Sequence, residues 1–473
     1  MKDAKRCVSL SIVLLLTLSL FALPASANSA QTQWRGTDAT GAIVTGDSCP
    51  IVVEHELLTF DLGQFPESYY RELGDYLAYS GSVTAEYTFY NPADYRVDAT
   101  LVFPFGAIPD YGDIWDMESG ERLPYSDTEK YDITADGTAV NRTLRHTLSF
   151  WGEQFELKED LAKLYDGFAE DAFYSPDMPV TRYTYMPGAV DKERYPAASA
   201  AFALSADPGK SRVYLEGQNG GTLLEDAVQL EGWVNPDEPF VLNVIGAPLE
   251  QEPDWKFYEN GACEDEIGGT MTLTKTESTT LKEFLLQEYD PASGILEHDW
   301  YNAMVAALNK FAWEYGAIHS MEVGFDISDR LMRWYEYEIS IGPGERIVNR
   351  VTAPVYPDIN GRYDPPVYVY TYLLSPAQTW AGFGTLDIVV NTPFYMTASE
   401  PDGFLRNESA YELHLPGLPE GELHFSLCSE PEPDVPLRSA FFLPGLLLAG
   451  AAVLAAIALV LMVARAAGKK RRK

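Results

Sequence analysis

The chain has 473 residues, and its 34 Lys and Arg residues against 70 Asp and Glu residues give a formal net charge of −36. That acidity argues against a nucleic-acid partner, because contacts with phosphates need clustered Lys and Arg side chains. A hydrophobic fraction of 46% and an aromatic fraction of 13% exclude a disordered chain. The four cysteines are too few for a disulfide scaffold.

The first 27 residues have the pattern of a secretory signal peptide. Lys2, Lys5 and Arg6 precede an apolar run over residues 8–23, and Ala25-Ser26-Ala27 offers a cleavage site. The alternative is an uncleaved anchor helix. We expect cleavage after Ala27, which would place the rest of the N-terminal part outside the cytoplasm.

Residues 28–150 are predicted to form a β-sandwich module. Apolar residues alternate with polar ones over 83–89, which is the period of a half-buried strand. Asn91-Pro92 marks a turn, and a second strand over 99–103 stops at Pro104. A hairpin is predicted over 114–123.

Two segments resemble known families. Residues 83–125, with Asn91 after the first strand and Phe103-Pro104 ending the second, resemble the VIT domain (vault/inter-α-trypsin type). That resemblance implies a non-catalytic β-sandwich. Residues 372–393 are similar to uncharacterised bacterial exported, membrane-anchored proteins, and this similarity implies no activity.

Residues 151–330 are predicted to be a mixed region with amphipathic helices. The Thr280-x-x-Glu283 capping box opens a short helix, and a longer helix is predicted over 297–316. Two apolar stripes support the helices, namely Leu157, Leu161, Leu164, Tyr165 and Phe168 in the first, and Trp300, Met304, Leu308, Phe311 and Tyr315 in the last. We interpret the stripe of the longer helix as core packing, with a ligand-binding face as the alternative.

Residues 331–428 are predicted to form a C-terminal β module. The odd-numbered residues from Tyr335 to Ile341 share one face of a strand, whereas Glu336 and Glu338 share the other. Tyr368, Tyr370 and Tyr372 form a row that either stacks on sugars or packs at a domain contact.

A weak internal repeat at an offset of 250 residues aligns 86–104 with 336–354. It favours two sandwich modules, although chance identity is the alternative. The predicted fold class is therefore mainly β with helical insertions (α+β), built from tandem β-sandwich-like modules with one C-terminal transmembrane helix.

A juxtamembrane hairpin is predicted from residues 411–415 and 422–427. Its His414 and His424 would share one face with Glu412 and Glu422, as a metal site or as a solvated edge. His55 is followed by Glu56 but lacks the second histidine of a metalloprotease motif.

The C-terminus is predicted to be a membrane anchor. A Pro-rich acidic stalk over 429–438 leads to a transmembrane helix at 439–464, whose residues 441–463 carry no charge. The basic tail at 465–473 predicts a single-pass type I topology with a cytoplasmic C-terminus. One face of the span carries small residues that would allow a homodimer, although alanine is also a common filler; they are Gly445, Ala449, Ala452 and Ala456.

Most of the negative charge lies outside the membrane in this topology. The signal segment carries +2 and the tail +6, which leaves −44 on residues 28–464. We interpret this charge as a solvated acidic surface, and the alternatives are divalent-cation binding, a basic partner or a salty habitat. Of the exported cysteines Cys49, Cys263 and Cys428, one pair could form a disulfide, with Cys49 and Cys263 as the candidate pair.

The sequence contains no nucleophile elbow, no phosphate-binding glycine loop and no Cys-x-x-Cys motif. No catalytic residue, metal ligand or cofactor is therefore assigned. The first hypothesis is a membrane-anchored, non-enzymatic protein of the bacterial cell surface that acts by binding or assembly, with a surface protein or glycan as partner. The alternatives are a membrane-tethered carbohydrate-active enzyme or other hydrolase, and a sensor that uses the basic tail.

Overall fold

The chain is described by a computed structural model that covers residues 33–34, 39–40, 42–45, 49–65, 81–104, 109, 131–149, 157–235, 237–319 and 327–435. The predicted signal peptide, the hairpin at 114–123 and the transmembrane segment with Gly445, Ala449, Ala452 and Ala456 lie outside the described residues. Within the described part the fold is mainly β with few helices, as the sequence predicts.

The strands are, in chain order, β1 (Gln33–Trp34), β2 (Ala39–Thr40), β3 (Ile43–Val44), β4 (Val52–Asp61), β5 (Gly81–Tyr90), β6 (Val97–Pro104), β7 (Asp132–Ala135), β8 (Thr138–Ala139), β9 (Arg142–Leu148), β10 (Pro179–Gly188), β11 (Ser199–Leu204), β12 (Ser211–Leu215), β13 (Gln218–Leu223), β14 (Val228–Trp233), β15 (Phe240–Gly246), β16 (Lys256–Tyr258), β17 (Glu266–Ile267), β18 (Thr270–Thr280), β19 (Ala317–Ile318), β20 (Leu331–Ile341), β21 (Arg346–Val355), β22 (Asp358–Asn360), β23 (Val367–Leu373), β24 (Gly382–Asn391), β25 (Tyr395–Glu400), β26 (Leu405–Asn407), β27 (Ala410–Leu415) and β28 (Leu423–Cys428). The α-helices are α1 (Leu157–Ala162), α2 (Leu281–Leu285) and α3 (Glu297–Lys310).

The N- and C-terminal strands together build one sandwich. An eight-stranded sheet has the order β26-β27-β24-β4-β5-β21-β7-β8. It shares a core with a six-stranded sheet (β1-β22-β23-β28-β25, with β2 on β23) and a four-stranded sheet (β3-β6-β20-β9). Large buried rings from all three sheets meet in that core, among them Phe60, Phe103 and Phe425. Alternation along each strand explains why one face of each sheet is apolar.

The predicted separation into modules at 28–150 and 331–428 does not match this topology. Strand β5 pairs with β21 and β6 pairs with β20, both antiparallel. The two segments of the internal repeat are therefore ladder partners within one sandwich, with Glu86 opposite Arg350 and Leu101 opposite Tyr337. Each segment runs from one sheet into the other, because β5 and β21 lie in the eight-stranded sheet and β6 and β20 lie in the four-stranded sheet. In both sheets the backbone N–H and C=O groups of one segment pair with those of the other.

Asn91 links the β5–β6 connection to the turn between β20 and β21. Its side chain is completely buried, and Nδ2 lies 2.8 Å from the Tyr95 carbonyl oxygen and 3.0 Å from that of Ile341. Its Oδ1 accepts a hydrogen bond from the Ala93 backbone at 3.0 Å. A side-chain amide can meet these donors and acceptors at once, which an apolar residue cannot.

We expect Asn91→Ala to lower the free energy of unfolding by about 2–3 kcal/mol, because the backbone carbonyls of Tyr95 and Ile341 lose their hydrogen-bond donor. Urea denaturation followed by tryptophan fluorescence measures the loss. Asn360→Ala is the control, since the Asn360 side chain caps only a surface turn at Arg362. Equal losses in the two variants would contradict this role for Asn91.

Residues 179–280, together with β19 (Ala317–Ile318), form a second sandwich within the region that the sequence predicts to be mixed with amphipathic helices. One five-stranded sheet has the order β18-β10-β15-β12-β19 and the other has the order β13-β14-β11-β16-β17. Their shared core contains Phe202, Val213, Leu230, Leu242 and Phe257.

Helices α2 and α3 pack on one side of this second sandwich. The capping box is present as predicted: Thr280 accepts from the Glu283 backbone and Glu283 from that of Thr280. Helix α3 buries Tyr301 and Leu308 against the second sandwich and Trp300 against the end of β9 and β20. It ends at Lys310, before the predicted Gly316, and a 3-10 turn follows at Glu314–Gly316. None of the described helices is long and apolar enough to cross a bilayer.

The predicted juxtamembrane hairpin is wrong. Strand β27 pairs with β24 and β26 in the eight-stranded sheet, whereas β28 pairs with β23 and β25 in the six-stranded sheet. The partners β24 and β23 are longer than β27 and β28 and lie in two different sheets, so the chain passes from one sheet to the other between β27 and β28. The described start of the stalk, up to Val435, is held to this sandwich by a backbone bridge between Asp364 and Asp434.

Candidate functional site

A pocket of about 550 Å³ lies where the chain passes from β8 to β9, at the terminal strand of the four-stranded sheet. Its lining combines charged, amide, hydroxyl and apolar groups: Ala135, Thr138, Ala139, Val140, Asn141, Arg142, Thr143, Glu336, Tyr337 and Glu338. The volume falls within the range of small-molecule sites, about 300–1,000 Å³.

Strand alternation places the two carboxylates in this pocket. On β20, Tyr335, Tyr337, Ile339 and Ile341 are buried in the first core, as the sequence predicts. Glu336 and Glu338 therefore point to the opposite face, and Glu336 lies directly across from Thr143 of β9. Residues two apart on a strand are separated by about 6.5–7 Å, so both carboxylates can reach one ligand.

A buried arginine holds the first of these carboxylates. Arg145 Nη1 lies 2.8 Å from Glu336 Oε2 and 3.1 Å from Asp166 Oδ1, and Nη2 lies 3.2 Å from Asp299 Oδ1. The side chains of Arg145 and Asp299 are each only 3% exposed. Burial opposes the charge on Arg145, but Asp299, Glu336 and Asp166 outweigh it and raise the pKa of the guanidinium. Through Arg145, Glu336 of the pocket lining is thus connected to Asp299 of helix α3.

Two histidines complete the network. His298 Nε2 lies 3.3 Å from Asp299 Oδ1, and the His146 backbone donates to Asp299 Oδ2 at 2.8 Å. Burial, with the nearby charges of Arg333 and Arg145, lowers the pKa of the His146 imidazole to about 4. His146 is therefore neutral at pH 7 and adds no charge beside Arg145.

Sequence reasoning missed this network. The partners of Arg145 are 21, 154 and 191 residues away along the chain. The alternation on β20 does reveal that Glu336 and Glu338 share a face, but nothing in the sequence links that face to Asp299.

The histidines singled out in the sequence are brought to two different places. His414 Nδ1 lies 2.6 Å from Asp387 Oδ1, and His55 Nε2 lies 2.9 Å from Asp387 Oδ2. Hydrogen bonds from these two imidazoles lower the pKa of Asp387. His424, in the six-stranded sheet, bonds instead to the Thr371 hydroxyl at 3.0 Å. Glu422 accepts hydrogen bonds from the Leu374 and Ser375 backbone.

The proposed common face of His414, His424, Glu412 and Glu422 therefore does not exist, because its two strands lie in different sheets. Across the described ranges, no three His, Cys, Asp or Glu side chains are grouped so that they could hold one metal ion.

The suggested disulfide between Cys49 and Cys263 is not formed in the described part of the chain, where Cys49, Cys263 and Cys428 are all free thiols. Cys49 packs on the first sandwich core, whereas Cys263 Sγ donates to Glu231 Oε2 of the second sandwich at 2.6 Å. Burial and the neighbouring Glu231 raise the pKa of the Cys263 thiol to about 12.

The tyrosine row does not form a sugar platform. Tyr368, Tyr370 and Tyr372 are 5%, 2% and 1% exposed and belong to the first core. The side of β23 that faces the eight-stranded sheet carries the rings, so they pack against other aromatic side chains such as Phe60 and Phe425.

A buried carboxyl lies beside this row. Glu56 is 1% exposed, and its Oε1 accepts from the Tyr372 hydroxyl at 3.4 Å. Burial raises the pKa of Glu56 to about 7, although the hydroxyls of Tyr87 and Tyr372 act against that rise. The Tyr87 hydroxyl in turn accepts from the Ala42 backbone at 3.1 Å.

Comparison with known proteins yields no family. No family model matches the chain, and no curated protein matches it. Among solved structures it is similar to a Legionella pneumophila protein provisionally described as a nutrient binding protein, with 10% identity and a TM-score of 0.35. That match covers 84% of this chain and 72% of the other.

Proposed function

We propose that this chain is an extracytoplasmic, membrane-anchored binding protein that holds a polar small molecule or glycan end group in the pocket beside Glu336 and Glu338. The anchor would be the uncharged segment 441–463, with the basic tail in the cytoplasm. The observation that carries the proposal is the pocket itself, which is lined by two neighbouring carboxylates, one of which, Glu336, is bound by the buried Arg145 behind it at 2.8 Å.

The lining favours a ligand rich in hydrogen-bond donors. Glu336 and Glu338 supply acceptors, and Thr138, Asn141 and Thr143 can both donate and accept. An amino sugar carries hydroxyls and an ammonium group, so it matches this set, and charge-assisted hydrogen bonds to carboxylates are the strongest available. A uronic acid would place its own carboxylate near Glu336 and Glu338.

The first test is calorimetric titration of the full-length protein in detergent with glucosamine, glucose and glucuronate. We expect glucosamine to bind tightest and Glu338→Gln to weaken it about tenfold or more, from the loss of a charge-assisted bond. Glu412→Gln is the control, because Glu412 is exposed on β27 outside the pocket. Absence of binding, or equal binding by wild type and Glu338→Gln, would contradict the proposal.

A hydrolase is the second candidate, and the same pair of carboxylates favours it. Glycosidases place two carboxyl groups about 5–10 Å apart, and the spacing along β20 is compatible with that range. Glu336, however, is bound to Arg145 at 2.8 Å. Release of nitrophenol from aryl glycosides by wild type, abolished in both Glu336→Gln and Glu338→Gln, would establish hydrolysis in place of simple binding.

A further inference from the structure

Strand β18 is the terminal strand of its five-stranded sheet, where it pairs with β10. It is eleven residues long, and every side chain from Thr272 to Ser278 is exposed, on both faces of the strand. A terminal strand presents backbone N–H and C=O groups along its outer edge, and these can pair with another strand. The other terminal strands in the described part are shorter.

The charges on β18 select one partner and one register. Lys275 and Glu277 are its charged residues; they form an ion pair with each other along the strand at 2.8 Å, and their side chains remain 61% and 49% exposed. In an antiparallel pair of identical strands related by a two-fold axis, centring the pair on residue 276 places each Lys275 opposite Glu277 of the second copy. Centring it on 275 or 277 instead places like charges opposite each other, which is unfavourable.

We propose that β18 pairs with β18 of a second copy of this chain, antiparallel and centred on Thr276. The contact joins two five-stranded sheets into one continuous sheet across the dimer. It is isologous, because the same edge is used by both copies. Anchoring in one membrane would raise the local concentration of the two edges, but the pairing itself does not depend on the ligand pocket.

Two features of β18 could instead keep its edge unpaired. Lysine on an edge strand commonly prevents pairing, and the register shift opposite Thr184 and Tyr185 leaves Thr274 as a bulge. If these features protect the edge, the strand stays unpaired. In the centred dimer the bulge lies beyond Lys275, so the complementary charges fall within the regular part of the strand.

The first test is a charge swap in the full-length protein, with the dimerisation constant measured by sedimentation in detergent. Lys275→Glu should weaken dimerisation about tenfold or more, because glutamates then oppose each other twice. The double variant Lys275→Glu/Glu277→Lys should restore it to near the wild-type value. A monomeric wild type, no effect of Lys275→Glu, or a folded double variant that stays dissociated would each overturn the proposal.

A cysteine pair tests the register separately. Residues opposite each other across an antiparallel ladder have Cα atoms about 4.5–5.5 Å apart, within the reach of a disulfide. Thr276→Cys should therefore cross-link to itself under mild oxidation, whereas Ser278→Cys should not, since its two copies lie about four residues apart along the ladder. Wild type gives the background from Cys49, Cys263 and Cys428. No cross-link at 276, or equal yields at 276 and 278, would overturn the register.

Discussion

Arg145→Met is expected to lower the free energy of unfolding by about 3–5 kcal/mol, because it leaves the buried Asp299 without its compensating charge. Asp299 is 3% exposed and forms its ion pair with Arg145, while His298 Nε2 lies 3.3 Å from Asp299 Oδ1. The loss would appear as a lower midpoint in urea denaturation at pH 7. It should be accompanied by loosening of α3, on which Asp299 lies.

Arg96→Met is the matched control. Arg96 and Asp98 form an ion pair at 3.0 Å, but their side chains are 66% and 68% exposed. An exposed pair of this kind contributes less than about 1 kcal/mol. The double variant Arg145→Met/Asp299→Asn should recover part of the loss, since neither charge then remains buried. An effect of Arg145→Met no larger than that of Arg96→Met would contradict the structural role of the network.

In the wild type, ionisation of Glu56 is expected to lower the free energy of unfolding as the pH rises from 4.5 to 7, and Glu56→Gln is expected to remove this loss. Burial raises the pKa of Glu56 from 4.5 to about 7 in the folded protein. Below pH 4.5 the carboxyl is protonated in both states, so its contribution is complete there. As the pH rises through this window the unfolded chain ionises first, which costs the folded state about 3 kcal/mol by pH 7.

His146 has the opposite dependence in nearly the same window. Its pKa falls from 6.5 to about 4 on folding, so its stabilising contribution is present above pH 6.5 and is lost as the pH falls through 4. The contributions of Glu56 and His146 therefore oppose each other in the wild type. With Glu56→Gln, stability should fall on acidification from pH 7 to 4.5 by about 3 kcal/mol more than in the wild type.

Urea midpoints at four pH values between 4.5 and 8 measure this difference. Glu54→Gln is the control, because Glu54 faces solvent on the same strand and its bond with Arg346 lowers the pKa of its carboxyl below the window. A wild type and Glu56→Gln variant whose stabilities run parallel from pH 4.5 to 7 would show that Glu56 is not buried as a neutral group.

Local patterns in the sequence predict individual elements of this fold well. The alternation from Tyr335 to Ile341 identifies both the buried face of β20 and the opposite face, which carries Glu336 and Glu338. The capping box at Thr280 marks the start of α2 to the residue. Both patterns depend only on residues that are close along the chain, so they can be recognised without knowing the tertiary contacts.

Strand pairing is where the sequence-based prediction fails. The residues 411–427 look like a hairpin because two strands are separated by a Gly- and Pro-containing turn, yet β27 and β28 belong to facing sheets. The repeat at an offset of 250 indicates similar segments, but only the ladder shows that β5 pairs with β21. Such long-range choices depend on the whole core rather than on local propensity.

The candidate site illustrates the same limit. Glu336 and Glu338 could be placed on one face from the sequence, whereas Arg145 and Asp299 come from segments 154 residues apart. An ion pair across that distance leaves no periodic signal. Its partners are selected by the packing of α3 against the ends of β9 and β20.

The most direct test of the binding function is a crystal structure of the protein with glucosamine bound. We expect the sugar in the pocket between β8 and β20, with its ammonium or hydroxyl groups within hydrogen-bond distance of Glu336 and Glu338. Glucosamine bound elsewhere, with this pocket filled only by water at saturating ligand, would contradict it.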